Sequence, residues 1–121
     1  LDQSNNTYVT VTDEKNSFVI FDFKDNRVNL NKYYLSVSSN SYSYYPSCWV
    51  VEGSNDKMKW DLLDKKENDS RLSGRGCSST FPCENLSKNY YRYIRIKENN
   101  TNNSHYIQLA DAEFYGILLT K

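Results

Sequence analysis

At 121 residues the chain is long enough for one domain with one modest core, and with 38% apolar and 25% charged residues it sits among globular sequences, not disordered ones. Its 15 basic and 15 acidic side chains cancel to a formal charge of zero, which removes the electrostatic case for nucleic acid or an anionic membrane surface. No apolar run approaches the roughly 20 residues of a membrane helix, so no insertion by a helix is expected.

The chain has no initiator Met, and Leu1 reads as the start of a fragment. The composition leans towards strands: 11 tyrosines, few alanines and many β-branched residues. In chain order, "FVIFDF" at 18–23 alternates, with Val19, Phe21 and Phe23 on one face. "YYLSVSS" puts Tyr33, Leu35 and Val37 on one face. "CWVVEG" sets Cys48, Val50 and Glu52 against Trp49, Val51 and Gly53. "YYRYIRIKE" sets Arg92, Ile94 and Ile96 against Tyr91, Tyr93 and Arg95. "YIQLADAEFYGILL" at the end holds one or two strands. Polar clusters at Lys24 to Arg27, Ser39 to Pro46, Gly53 to Lys57, Lys65 to Cys83 and Glu98 to His105 read as turns and loops. No amphipathic helix pattern persists over three turns. The expected architecture is an all-β antiparallel sandwich or jelly roll, with residues 1–121 forming a single domain.

Between Pro46 and Trp60 the sequence predicts a hairpin. Gly53 to Asp56 supply a tight turn, since Gly and Asn accept φ > 0 and Ser and Asp bond to nearby N–H groups. The return strand places Trp60, Leu62 and Asp64 on one face. Trp49 and Trp60, one in each arm, are expected in or near the core.

These residues resemble a known family. "FVIFDFKDNRV" at 18–28, "YPSCWVVEGSNDKMKWDLLDKKEND" at 45–69, "YYRYIRIKE" at 90–98 and "AEFYGIL" at 112–118 occur in the order seen in discoidin-like domains, also called coagulation factor 5/8 type C domains. The version it is most similar to is the intracellular branch found beside BTB domains in some protists. The resemblance implies a jelly roll of the galactose-binding-domain-like type, with about eight strands and ligands held by loops at one end. It also implies further residues before Leu1, including an N-terminal strand. The disulfide that closes many secreted members near their ends has no counterpart in "YGILLTK".

Candidate chemistry is sparse. The one histidine, His105, has no G-x-S-x-G or other nucleophile motif to serve. Cys77 and Cys83 are not in a C-x-x-C arrangement, though a bridge between them across a loop is open. The three cysteines leave at least one unpaired, which favours a reducing, cytoplasmic setting over an extracellular one. Sequons begin at Asn5, Asn68, Asn85, Asn99 and Asn102 and mark polar surface whether or not sugar is attached. Zinc is disfavoured by this His and Cys inventory, and the oxygen-rich run Asp64, Glu67, Asn68 and Asp69 makes calcium the less remote metal. That run lacks a D-x-D-x-D-G loop, and a solvated charged loop is the favoured reading, so no cofactor is expected. One of Arg92 and Arg95 is expected to pair with Glu113 or Asp22.

Binding is better supported. Tyr42, Tyr44 and Tyr45 stand among small polar residues, and tyrosine offers a rigid apolar face with a hydroxyl, suited to sugars and to proteins. Asn40, Asn103 and His105 supply hydrogen bonds. The sequence therefore reads as a non-catalytic recognition module of a larger protein, with a protein partner or a glycan as ligand. A lectin-like module and a purely architectural domain are the alternatives.

Overall fold

The computed structural model describes residues 8–11, 18–37, 47–74, 76–98 and 109–120. Among them run eight strands: β1 (Tyr8–Val11), β2 (Phe18–Asp22), β3 (Asn26–Val37), β4 (Trp49–Ser54), β5 (Asp61–Lys66), β6 (Ser78–Pro82), β7 (Tyr93–Glu98) and β8 (Leu109–Thr120). They form a five-stranded sheet in the order β1-β2-β7-β4-β5 and a three-stranded sheet in the order β6-β3-β8. Every ladder is antiparallel. The two sheets face each other as a sandwich, and the described residues include no helix.

The core lies between the sheets and follows the alternation of the strands. Val19, Phe21 and Phe23 point inward from the five-stranded sheet, as do Trp49, Val51, Ile94 and Ile96. Tyr33, Leu35, Phe81 and Phe114 meet them from the three-stranded sheet. Aromatic edges lock the layers together. Phe21 and Phe114 pack edge-to-face with centroids 4.8 Å apart, and Trp49 meets Phe81 the same way at 5.1 Å.

β3 runs longer than its alternation suggests. A register shift between Leu30 and Lys32 leaves Asn31 as an extra residue. Val28 and Leu30 are therefore buried on even positions, whereas Tyr33, Leu35 and Val37 are buried on odd ones. The expected 65–83 loop is also corrected. β5 continues to Lys66, and β6 occupies Ser78–Pro82. β6 buries one side chain fully, Phe81, so it carries no period-2 signal of its own. It is a strand because Lys32 to Ser36 pair with it.

The expected tight turn moves as well. Gly53 and Ser54 belong to β4, and the chain reverses over residues 55–60. Ser54 Oγ accepts the N–H groups of Asp56 (3.2 Å) and Lys57 (2.9 Å), and Asp56 Oδ1 accepts those of Met58 (2.8 Å) and Lys59 (3.0 Å). Lys57 takes the left-handed conformation, φ 64°. A bulge then opposes Val51 to Asp64 but Glu52 to Leu62, with Leu63 between. Leu63 and Asp64 are both buried and Leu62 is exposed, so the expected shared face of Trp60, Leu62 and Asp64 does not form.

The cysteines are free thiols. A Cys77–Cys83 bridge is excluded by the fold: the two flank the five residues of β6, and six extended steps along the chain set them roughly 20 Å apart, far beyond disulfide reach.

Candidate functional site

One end of the sandwich collects the strand ends from which its longer connections leave. Val37, the end of β3, pairs with Leu109, the start of β8. Trp49, the start of β4, pairs with Glu98, the end of β7, and with Lys66, the end of β5. Phe18 pairs with Lys97 and with Val11. The segments 12–17, 38–46, 67–77 and 99–108 therefore all depart from this rim. The six candidate ligand residues, Asn40, Tyr42, Tyr44, Tyr45, Asn103 and His105, lie outside the described residues, within two of those segments.

The floor beneath the rim is a buried polar chain. Trp49 Nε1–H donates to Tyr33 Oη at 2.9 Å, and Tyr33 in turn donates to Asp64 Oδ2. Asp64 also accepts Lys66 Nζ at 2.9 Å and the Glu84 N–H at 3.1 Å. Trp49, Tyr33 and Asp64 are fully buried. Burial, then the neighbouring Asp64, push the Tyr33 phenol well above its ordinary range. Every bond of this chain is satisfied, so it fixes one arrangement of the core under the rim. Tyr33 stacks on Phe81 at 5.2 Å.

The 67–73 segment folds down onto this floor. Asp69 N–H donates to Ser47 O at 2.9 Å, and Asn68 N–H reaches Cys48 Sγ at 3.5 Å. Asp69 holds Arg71 through Nε at 3.0 Å and Nη2 at 2.5 Å, which keeps the Asp69 carboxyl below its ordinary range. The guanidinium lies 4.3 Å from the Phe81 ring centroid, and Leu72 is fully buried. The oxygen-rich run thus disperses: Asp64 goes to the core, Asp69 to Arg71, and Glu67 to Lys65 at 3.0 Å. Among the described residues no group of three His, Cys, Asp or Glu side chains is placed to hold a metal.

Glu98 is a rim residue that sequence reading passed over. It continues the inward parity of Ile94 and Ile96 and stands across from Trp49. Burial pushes its carboxyl up to about 7. The signal was present in "YIRIKE", where every second residue from Ile94 points inward.

The remaining named residues lie away from the rim. Arg92 pairs with Asp22 at 2.8 Å and 3.1 Å. Arg95 faces outward from the five-stranded sheet, where Glu52 binds it at 2.8 Å and the Trp60 ring lies 4.0 Å from its guanidinium carbon. Trp60 therefore does not join Trp49 in the core; the two rings lie on opposite sides of the sheet. Gly53 lies under the ring of Tyr91, and a Cβ there would stand 2.6 Å from its Cγ. Glu113, in β8, accepts the Tyr115 hydroxyl at 2.6 Å.

Comparison with solved structures places this arrangement in a known architecture. CBM32-3 from a family 31 glycoside hydrolase of Clostridium perfringens superposes with a TM-score of 0.63 and 17% identity, over 97% of this chain and 72% of the other. CBM62 from Clostridium thermocellum Xyl5A gives a TM-score of 0.64 at 17% identity, over 93% and 77%. A chitosan-binding module from a Paenibacillus sp. IK-5 chitosanase/glucanase gives 0.59 at 16%, over 93% and 79%. The fold is that of the galactose-binding-like β-sandwich. No family model matches the sequence. Curated proteins do match part of it, among them two E3 ubiquitin-protein ligases. The E3 ubiquitin-protein ligase Ufd4 of Drosophila melanogaster is 36% identical over 73 residues, 56% of this chain. The E3 ubiquitin-protein ligase hecd-1 of Caenorhabditis elegans is 28% identical over 71 residues, again 56% of this chain. In each case the match spans 3% of the relative's length.

Proposed function

We propose that the chain is a non-catalytic recognition domain of a larger, intracellular protein and that it binds a protein partner through the rim. The observation that carries this is the convergence of strand ends at Val37, Trp49, Glu98 and Leu109. That convergence brings the strand ends that flank the Tyr-rich 38–46 segment and the 99–108 segment to one rim. The relatives support a protein partner: a short stretch shared with very long E3 ubiquitin-protein ligases fits a module that selects what a larger protein acts on. The block at 45–69 keeps the chain, in this reading, within the intracellular BTB-associated branch of discoidin-like domains.

A glycan is the second reading, favoured by the fold neighbours, which are carbohydrate-binding modules. Two measurements separate the readings. Affinity capture compares the intact domain with the Tyr42→Ala/Tyr44→Ala/Tyr45→Ala variant, and a glycan array is run on the intact domain. The protein-partner reading expects capture that the triple variant loses and an array at background. Equal recovery by both proteins removes the rim, and array signal lost in the triple variant transfers the site to sugars.

A further inference from the structure

Two sheets have four edges, and an edge strand's unpaired N–H and C=O groups recruit foreign strands unless something blunts them. Three of the edges here are blunted. β1 is four residues long. β5 is covered by Asn85, whose N–H donates to Leu63 O at 3.0 Å and whose Nδ2 donates to Leu62 O at 3.3 Å. β6 is five residues long and ends on Pro82.

The fourth edge is β8. It is 12 residues long and, among the described residues, pairs only with β3. Between Leu109 and Thr120 it has no proline, lysine or arginine, the residues that commonly guard an edge. Its outward positions fall into two halves. Asp111 is exposed and Glu113 partly so; beyond Tyr115, Ile117 and Leu119 are 56% and 48% exposed. The Ala112 N–H is taken by Asp111 Oδ1 at 2.9 Å, which caps the edge at its acidic end and leaves the aliphatic half as the place for a strand to start.

We infer that the outer edge of β8 takes up an extended segment of a partner protein by antiparallel strand addition, with apolar side chains beside Leu119 and Ile117 and basic ones beside Glu113 and Asp111. Cross-strand neighbours are the unit of sheet stability, and like charges placed opposite one another destabilise, so the two acidic positions select lysine or arginine. A second copy is a poorer occupant. Self-pairing about Tyr115 would set Asp111 opposite Leu119 and Glu113 opposite Ile117, an acid against an aliphatic side chain each time, and give neither acid a basic neighbour. This edge lies on the side of the sandwich and does not rest on the rim reading.

The test uses a labelled synthetic peptide with valine, valine, tyrosine, lysine and lysine at alternate positions and threonine between them, titrated with the whole chain by fluorescence anisotropy. The chain binds it, and Ile117→Lys/Leu119→Lys weakens binding about tenfold. Asp111→Lys reverses preference towards the same peptide with glutamate in place of the one lysine that pairs with position 111. All three positions are at least partly exposed, and thermal melts by circular dichroism check that the variants fold. Indifference of both the native chain and Asp111→Lys to peptide charge overturns the inference. So does absence of binding, or a dimer in sedimentation velocity that the peptide does not dissociate, which gives the edge to a second copy.

Discussion

Replacing Tyr33 by phenylalanine removes one oxygen from the core and two hydrogen bonds with it. Tyr33 donates to the fully buried Asp64 carboxylate and accepts from Trp49 Nε1 at 2.9 Å. A hydrogen bond to a charged group contributes about 1.5–3 kcal/mol, and a buried donor left without an acceptor costs about 1–3 kcal/mol. Lys66 still holds Asp64 Oδ2 at 2.9 Å, so the carboxylate is not orphaned and the loss falls in the lower half of that range. The expected destabilisation is about 3 kcal/mol. Unfolding entropy near 2.1 cal/mol/K per residue makes each kcal/mol worth about 4 °C in a chain of this length, so Tm falls by about 12 °C. Urea unfolding followed by tryptophan fluorescence gives the free energy, and a cycle with Asp64→Asn isolates the pairwise part, expected at about 1 kcal/mol or more. Tyr34→Phe, on the outward face of the same strand, is the control and stays within about 0.5 kcal/mol. A Tyr33→Phe cost below about 1 kcal/mol, with no coupling to Asp64, would refute the account of the floor as a closed, satisfied network.

Glu98 predicts a pH dependence. Its folded-state value, about 7, stands above the ordinary 4.5, so the folded protein holds this proton more tightly than the unfolded chain does. Its contribution is fully present below about pH 4.5 and is lost as pH rises through 7. Glu98→Gln flattens the fall in urea stability between pH 5 and pH 8 and is the more stable protein at pH 8; parallel curves for the two proteins would count against burial as the cause. Gly53→Ala drives a methyl to within 2.6 Å of Tyr91 Cγ, and the ring cannot retreat without losing its 2.7 Å bond to Asp61. The cost is about 1–3 kcal/mol in urea and shrinks in a Tyr91→Leu background, where the ring is gone.

The sandwich was legible wherever alternation ran unbroken. Val19, Phe21 and Phe23, then Tyr33, Leu35 and Val37, then Trp49 and Val51 all face inward as their parity requires. It was illegible where one residue was inserted. The extra Asn31 switches the parity of β3, and the extra Leu63 splits the expected Trp60–Leu62–Asp64 face, burying Asp64 and leaving Leu62 exposed. β6 was illegible for another reason: pairing with β3, not its own composition, makes it a strand. The polar chain Trp49–Tyr33–Asp64–Lys66 joins three strands from two sheets, and nothing local in any of them announces the others. Of the site, sequence reading identified tyrosines and polar residues in two loops; the topology adds that the strand ends flanking those loops share one rim.

That division explains why the fold builds a rim and does not name a ligand. A galactose-binding-like sandwich is a scaffold, and the binding its neighbours are named for is theirs. What this chain fixes is the stiffness under the rim. Lys66, buried to the point of 12% side-chain exposure, pays for its desolvation only through Asp64 and Glu84, and Asp64 in turn orders Tyr33 and Trp49. A floor built this way responds to mutation cooperatively, and its hydrogen bonds are made by Trp49, Tyr33, Asp64, Lys66 and Glu84, none of them a candidate ligand residue. Stability and recognition are therefore separable here. Tyr33→Phe lowers Tm with the rim's own side chains intact, and the Tyr42→Ala/Tyr44→Ala/Tyr45→Ala variant changes capture with Tm held. Capture that falls in step with Tm in both would mean that the tyrosines act through the core, and recognition would then have to be sought at the edge of β8.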